Sequence, residues 1–228
     1  MILLRIALIA DVHSNLQAIE AVLAEIRKER VQIILNAGDL VGYGPRPNEV
    51  IEVLRQADII SIRGNHDNAV LSGQYGWFNP YAAAAARWTA KSLSASSADY
   101  LRQLEQQRVE RIEGKTIGLF HGSPCDPNEY VMDESRAKEI LEMGDIDVVV
   151  CGHTHWPMEV RVGEKVFVNP GAVGQPRDHD PATSFCILDL ATLESSTRRV
   201  GYDILSVQRD MLSRGLPRLL AERLSEGR

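Results

Sequence analysis

Cysteine is scarce in this 228-residue chain: there are three, Cys125, Cys151 and Cys186. They cannot all pair within the chain, and their spacing forms no CxxC metal pattern, so a reducing, cytoplasmic setting is the simplest expectation. Excess positive charge is missing too. Lys and Arg number 25 against 31 Asp and Glu, a formal net charge of −6. General nucleic-acid binding favours a basic surface and finds no support here, although a small basic pocket for phosphate remains compatible. No stretch reaches transmembrane length. The apolar run over residues 1–10 is interrupted by Arg5, ended by Asp11, and lacks a basic n-region and a small-residue cleavage site. It reads as a buried first strand, and no membrane association is expected. Neither GxSxG nor a Walker A loop occurs, which leaves serine-hydrolase and P-loop readings without a motif. Internal repeats, low-complexity tracts and a convincing interdomain linker are absent as well.

What is present is an ordinary globular composition, 44% hydrophobic and 25% charged, over a length that suits one domain spanning residues 1–228. Strands are expected at residues 2–10, 31–36 and 59–62. Between them fall helices at 14–30, with Ser14 as N-cap, and at 48–56. This alternation argues for parallel strands in a layered α/β fold. Residues 68–107 differ. Asn79-Pro80 opens an alanine-rich helix to about 93, a second helix is expected at 98–107, and no strand fits, so the segment reads as a helical insertion. Strands resume at 109–112 and 116–120, followed by a helix at 134–143 and a strand at 148–151. Residues 160–162 and 166–168 form a hairpin about Gly163, and 184–190 pairs antiparallel with 196–200. Helices at about 203–225, interrupted by Pro217, carry Ile204, Leu205, Val207, Met211 and Leu212 on one face. That face is expected to pack on the sheet, with an oligomer contact as the alternative.

Five short motifs follow the hydrophobic stretches: Asp11-Val12-His13, Gly38-Asp39, Gly64-Asn65-His66-Asp67, His121-Gly122 and Gly152-His153-Thr154-His155. They contain five of the six histidines, His179 being the exception. Loops at the ends of parallel strands share one edge, where open α/β sheets build their sites. Asp11 and His13, two apart, can turn toward one ion, and the Asp39 carboxylate can bridge two. Asn65 offers a neutral amide oxygen. His121 and His153 supply imidazole to a second ion, and His155 returns to the first. Open positions would remain for water and substrate, the mark of a catalytic site. Glycines at 38, 64, 122 and 152 permit tight turns and close backbone approach.

In this order the motifs resemble the DxH, GD, GNH[DE], H and GHxH pattern of the calcineurin-like metallophosphoesterase superfamily. The continuation Asn169-Pro170-Gly171-Ala172-Val173-Gly174 is similar to that of its small bacterial branch. The resemblance implies a four-layer α-β-β-α sandwich of two mixed sheets flanked by helices, with metals at one edge. It assigns Asp11, His13, Asp39 and His155 to one ion, and Asp39, Asn65, His121 and His153 to the other. His66 matches the family's non-ligand histidine that assists the leaving group. The implied cofactor is a pair of divalent transition-metal ions, with Mn²⁺ favoured over Fe or Zn. Two such ions ~3.5–4 Å apart lower the pKa of a bridging water, which then attacks phosphorus in line.

Around this set several alternatives stay open. Asp67 either orients His66 or caps the following helix. Arg177 either grips substrate phosphate as a bidentate fork or sits in a surface ion pair. Tyr43 either lines the pocket or packs. Arg46 and Arg63 read as solvated or structural, Cys151 as a core residue, and His179 as exposed. The expected activity is hydrolysis of phosphate mono- or diesters on a small phosphorylated or nucleotide-like substrate. A phosphoprotein phosphatase is the neighbouring reading. A catalytically silent binding module would predict lost ligands, and none is lost. Dinuclear hydrolases of carboxylic esters or lactones carry an HxHxDH run that is absent here.

Overall fold

The computed structural model describes residues 5–228, so residues 2–4 of the expected opening strand lie outside the described residues. Among the described residues ten strands form two five-stranded mixed sheets. In the first sheet, β1 (Arg5–Ile9), β2 (Ile33–Asn36) and β3 (Ile60–Ser61) run parallel. β9 (Thr183–Asp189) pairs antiparallel with β1, and β10 (Ser195–Val200) with β9. The second sheet also holds three parallel strands, here at its centre. β5 (Lys115–Phe120), β6 (Val148–Val150) and β8 (Lys165–Pro170) are parallel, and β4 (Gln107–Ile112) and β7 (Pro157–Val162) are the antiparallel edges.

Alternation along β1 explains the layering. Ile6 and Leu8 face the second sheet, where they meet Ile117, Leu119, Val148 and Val150. Ala7 and Ile9 face outward onto α1 (Leu16–Ile26) and α2 (Pro47–Gln56). Both faces of the strand are therefore apolar, as a strand buried on two sides requires. On the far side, α6 (Glu134–Glu142) covers the second sheet through Ala137, Ile140 and Leu141. The result is the expected four-layer α-β-β-α sandwich. No helix among the described residues is long and apolar enough to cross a membrane.

Some local expectations are corrected. Asn15, not Ser14, caps α1: its side chain accepts from the Ala18 N–H at 3.2 Å, while Ser14 takes a left-handed φ of 56°. The helix stops at Ile26, and residues 27–30 form turns. The 98–107 helix is instead α5 (Ala95–Gln103), because Ser94 accepts from the Ser97 N–H and starts it earlier. Ahead of it lie α4 (Pro80–Ser92), opened by Asn79 as expected, and an additional helix, α3 (Asn65–Ser72), which begins inside the third motif.

The tail forms α7 (Ile204–Ser213), α8 (Arg218–Glu222) and a 3₁₀ turn (Arg223–Glu226). It does not pack on a sheet. Val207, Met211, Leu220 and Leu224 close instead on Ala82 and Ala85 of α4 and on Tyr43. Leu205 and Leu212, expected on the buried stripe, are 68% and 48% exposed. Met211→Ala should therefore cost ~2–5 kcal/mol of unfolding free energy, whereas Leu212→Ala should stay within ~0.5 kcal/mol. Urea denaturation of the two variants checks the contrast, and equal losses would place the tail's packing face elsewhere.

Candidate metal centre

Parallel register builds the first half of the centre. The β1–β2 pairing that ends at Ile9 and Asn36 continues into the loops, where the Asp11 N–H donates to Gly38 C=O and the His13 N–H to Asp39 C=O, both at 3.0 Å. Asp11, His13 and Asp39 are thereby carried side by side. The second sheet contributes His121 after β5, with His153 and His155 after β6. The Gly152 N–H donates to His121 C=O at 2.9 Å, and the His153 N–H donates to the Asp11 carboxylate at 3.0 Å, joining the two sheets at this edge. Asn65 opens α3, and its amide oxygen lies 2.7 Å from His121 Nε2.

Close convergence requires unusual backbone. Asp11, His13, Asp39, His153 and His155 all have φ between 47° and 68°. Non-glycine residues rarely occupy this left-handed region, at ~1–3 kcal/mol each, and such outliers cluster at functional sites. Gly64 is needed for a different reason: a Cβ there would overlap the Asp39 carboxylate and backbone nitrogen.

Three imidazoles are oriented by backbone carbonyls. Nδ1 of His13 faces Val41 O at 3.1 Å, that of His121 faces Ala37 O at 2.9 Å, and that of His155 faces Gln175 O at 2.5 Å. A carbonyl only accepts, so each Nδ1 carries the proton and each Nε2 turns inward. The Nε2 atoms of His13 and His155 then lie 3.1 Å apart. With both rings neutral this sets two lone pairs against each other, an arrangement a shared cation resolves. His153 differs, because its Nε2 donates to Asn128 O at 3.2 Å and the lone pair of Nδ1 is left free for a metal.

Two groups of ligand atoms are compact enough for a metal: Asp11, His13 and His155, and Asp11, Asp39 and His121. Asp11 is common to both, and Asp39 Oδ2, in the second, also lies 3.6 Å from His13 Nε2 of the first and 3.3 Å from His121 Nε2. Burial raises the Asp11 carboxyl to about 7, against the pull of His121, and it holds His13 and His155 well below the usual imidazole range. Burial and the charge of His121 lower His153 to about 3. For Asp39, burial is outweighed by His121, His66 and His13, and its carboxyl is held low; burial of His121 is in turn outweighed by Asp39, which raises that ring to about 9. Asp11 Oδ1 is buried and has no hydrogen-bond partner. Neutral imidazoles, an orphaned carboxylate oxygen and facing lone pairs fit divalent cations.

His66 lies outside both ligand groups. Its backbone N–H donates to Asp39 Oδ1 at 2.8 Å, its ring stacks on Phe78 at 4.4 Å, and it lines a cavity of about 200 Å³ over the centre. No hydrogen bond joins Asp67 to it. Asp67 accepts instead from the N–H groups of Gly64, Leu40 and Val41 at 2.9, 3.2 and 2.9 Å, so it caps α3 and anchors the Asp39 loop. Tyr43 both packs and lines the cavity, with its ring edge-on to His13 at 4.7 Å. Arg177 reaches the same cavity, where Nη2 donates to the Tyr43 hydroxyl at 3.3 Å and Nε is buried without a partner. No carboxylate stands at ion-pair distance from Arg177 among the described residues. His179 is exposed, Arg46 pairs with Asp210 at 2.5 Å, and Cys151 is buried in the outer core.

Several wall residues escaped the sequence reading. Tyr130 stacks over His153 at 3.9 Å, Asn128 orients that ring, and Trp77, Phe78 and Asn79 line the cavity from the insertion. They belong to no motif. The only signal was chain continuity, since the insertion leaves the site directly after Asp67.

Comparison with known proteins agrees with this geometry. The calcineurin-like phosphoesterase superfamily domain matches residues 4–193. An uncharacterised protein of Methanocaldococcus jannaschii is 35% identical over 98% of both chains. The phosphodiesterase YfcE of Escherichia coli is 28% identical over 82% of this chain and 88% of its own. The crystal structure of a metallophosphoesterase from Sphaerobacter thermophilus superposes with a TM-score of 0.86 at 36% identity, covering 99% of this chain and 100% of the other.

Gly64→Ala should push the Asp39 carboxylate away from His13 and His121 while leaving the interior of both sheets intact. The expected outcome is a folded protein with depleted metal, read by elemental analysis beside circular dichroism. Normal metal content in that variant would show that the close approach is not needed.

Proposed function

The chain belongs to the calcineurin-like phosphoesterase superfamily, and from that premise we propose that it is a dinuclear metal-dependent hydrolase of small phosphorylated or nucleotide-like esters. The reading rests chiefly on one observation: Asp39 Oδ2 lies between inward-turned imidazoles of both ligand groups, beneath a cavity that also receives His66 and Arg177. Asp11, His13, Asp39 and His155 would hold one ion, and Asp39, Asn65, His121 and His153 the other. Imidazole with carboxylate and amide oxygen suits Mn²⁺, the proposed native metal, as well as Fe and Zn. Bound there, divalent ions supply a water of lowered pKa and offset charge on a phosphoryl group. Three unpaired cysteines fit a cytoplasmic enzyme.

The chain's own groups account for the rest of the chemistry. The Arg177 guanidinium, with an unpartnered Nε, offers a fork to phosphoryl oxygens and fixes their orientation. Tyr43 holds that guanidinium from below. Burial lowers the His66 imidazole to about 4 despite the attraction of Asp39, and a phosphoryl anion beside it would favour its protonated form. His66 then holds a proton where the leaving oxygen departs. Asp67 acts at one remove, fixing the loop that carries Asp39. A cavity of about 200 Å³ walled by Trp77, Phe78 and Tyr130 suits a small ester better than a folded phosphoprotein.

His66→Ala should keep its metals yet lose ~10²–10⁴-fold in rate on alkyl phosphates. On an activated aryl ester, whose leaving group needs little help, the loss should be much smaller. Equal losses on the two substrates would give His66 a binding role and remove the general acid. Asp39→Asn should lower occupancy of both ions together, and selective loss of one would contradict a bridging carboxylate.

A further inference from the structure

Beside the metal cavity lies a second, more open groove of about 530 Å³, and Asn65, Trp77 and Asn128 wall both. The groove follows α3. Asn65, Asn68 and Ser72 are spaced i, i+3, i+7, so one stripe of that helix runs from a candidate metal ligand outward along the groove. Leu71 and Pro127 add apolar surface, and Gln74 and Gln106 add amides.

Trp77 stands at the boundary. Its indole is 55% exposed, yet it is not loose: it meets Phe78 edge-to-face at 4.4 Å, and Phe78 stacks on His66. A large aromatic surface is thus held in water next to the reacting centre. Arg63, expected to be solvated or structural, lines the groove: Nη1 donates to Leu101 O and Arg102 O at 3.4 and 3.5 Å, Nε is buried and unpartnered, and no carboxylate stands at ion-pair distance from it among the described residues. An oriented indole face, side-chain amides with donors and acceptors, and a guanidinium with no carboxylate partner together suit a heteroaromatic base more than a bare sugar or alkyl group.

We propose that this groove is a nucleobase subsite, with Trp77 as its stacking platform and Asn68, Gln74 and Arg63 as hydrogen-bonding groups. The inference rests on the phosphoesterase reading above and narrows its substrate to a nucleotide whose phosphate enters the metal cavity while the base lies over Trp77. A net charge of −6 disfavours a long polyanion in the same groove.

The test compares adenosine 5′-monophosphate with ribose 5-phosphate on the Mn²⁺-loaded full-length protein, using calorimetry, tryptophan emission and phosphate release. Adenosine 5′-monophosphate should bind about 10–100-fold more tightly, in line with base stacking on an aromatic side chain, and should quench emission. Trp77→Ala should abolish that advantage, weakening adenosine 5′-monophosphate about 10–100-fold more than ribose 5-phosphate. Asn68→Ala, which spares the indole, should reduce the advantage in part. Equal affinity for the two ligands, or equal loss of both in Trp77→Ala, overturns the subsite. If ribose 5-phosphate is hydrolysed with no preference for the nucleotide, the subsite falls and the phosphoesterase reading stands. If no ester is hydrolysed in the presence of metal, both fall.

Discussion

Asp39 is held at both ends of its carboxylate. Oδ1 accepts the His66 N–H at 2.8 Å, while Oδ2 faces His13 and His121 at 3.6 and 3.3 Å. Everything at this edge of the molecule is arranged around that buried side chain. The loop carrying it is clamped by Asp67 through the N–H groups of Leu40 and Val41, and Gly64 yields it space. A carboxylate so enclosed needs positive charge nearby. The His121 imidazole, whose burial is outweighed by Asp39 and which is raised to about 9, provides part of it, while burial keeps His13, His153 and His155 in their neutral, metal-binding form. Divalent cations meet the requirement of the carboxylates and the imidazoles together.

Bringing these groups together strains the backbone at Asp11, His13, Asp39, His153 and His155, each in the left-handed region. The strain is tolerated because the loops are not free. They continue the β1–β2 register through hydrogen bonds from Asp11 and His13, and are closed on the other side by the Gly174 N–H donating to Asp11 C=O at 2.8 Å. Behind them Ile6, Leu8, Val148 and Val150 lock the sheets face to face. A close-packed core of this kind resists relaxation, so the interior fixes the geometry that the loops alone would lose.

Much of this was legible in the sequence, for identifiable reasons. The β-branched runs before Asp11, Asp39, His121 and His153 mark strand ends, and ligand residue types at each end mark one shared edge. The two-sheet architecture came through resemblance, because alternation alone does not divide ten strands between two sheets. The tail misled because Leu205 and Leu212 are as apolar as Val207 and Met211, and only contact with Ala82 and Ala85 of α4 decides which side is covered. Helix α3 was open only through the capping alternative for Asp67, because its first turn is spelled by the chemistry-bearing Asn65-His66-Asp67. The aromatic walls Trp77, Phe78 and Tyr130 come from segments distant in sequence, and periodicity carries no record of such meetings.

Electron paramagnetic resonance of the Mn²⁺-reconstituted protein tests most directly whether Asp39 couples two metal positions. A carboxylate shared by two ions predicts a magnetically coupled spectrum from about two Mn²⁺ per chain. A spectrum of isolated ions at saturating Mn²⁺ would contradict the shared centre on which this account rests.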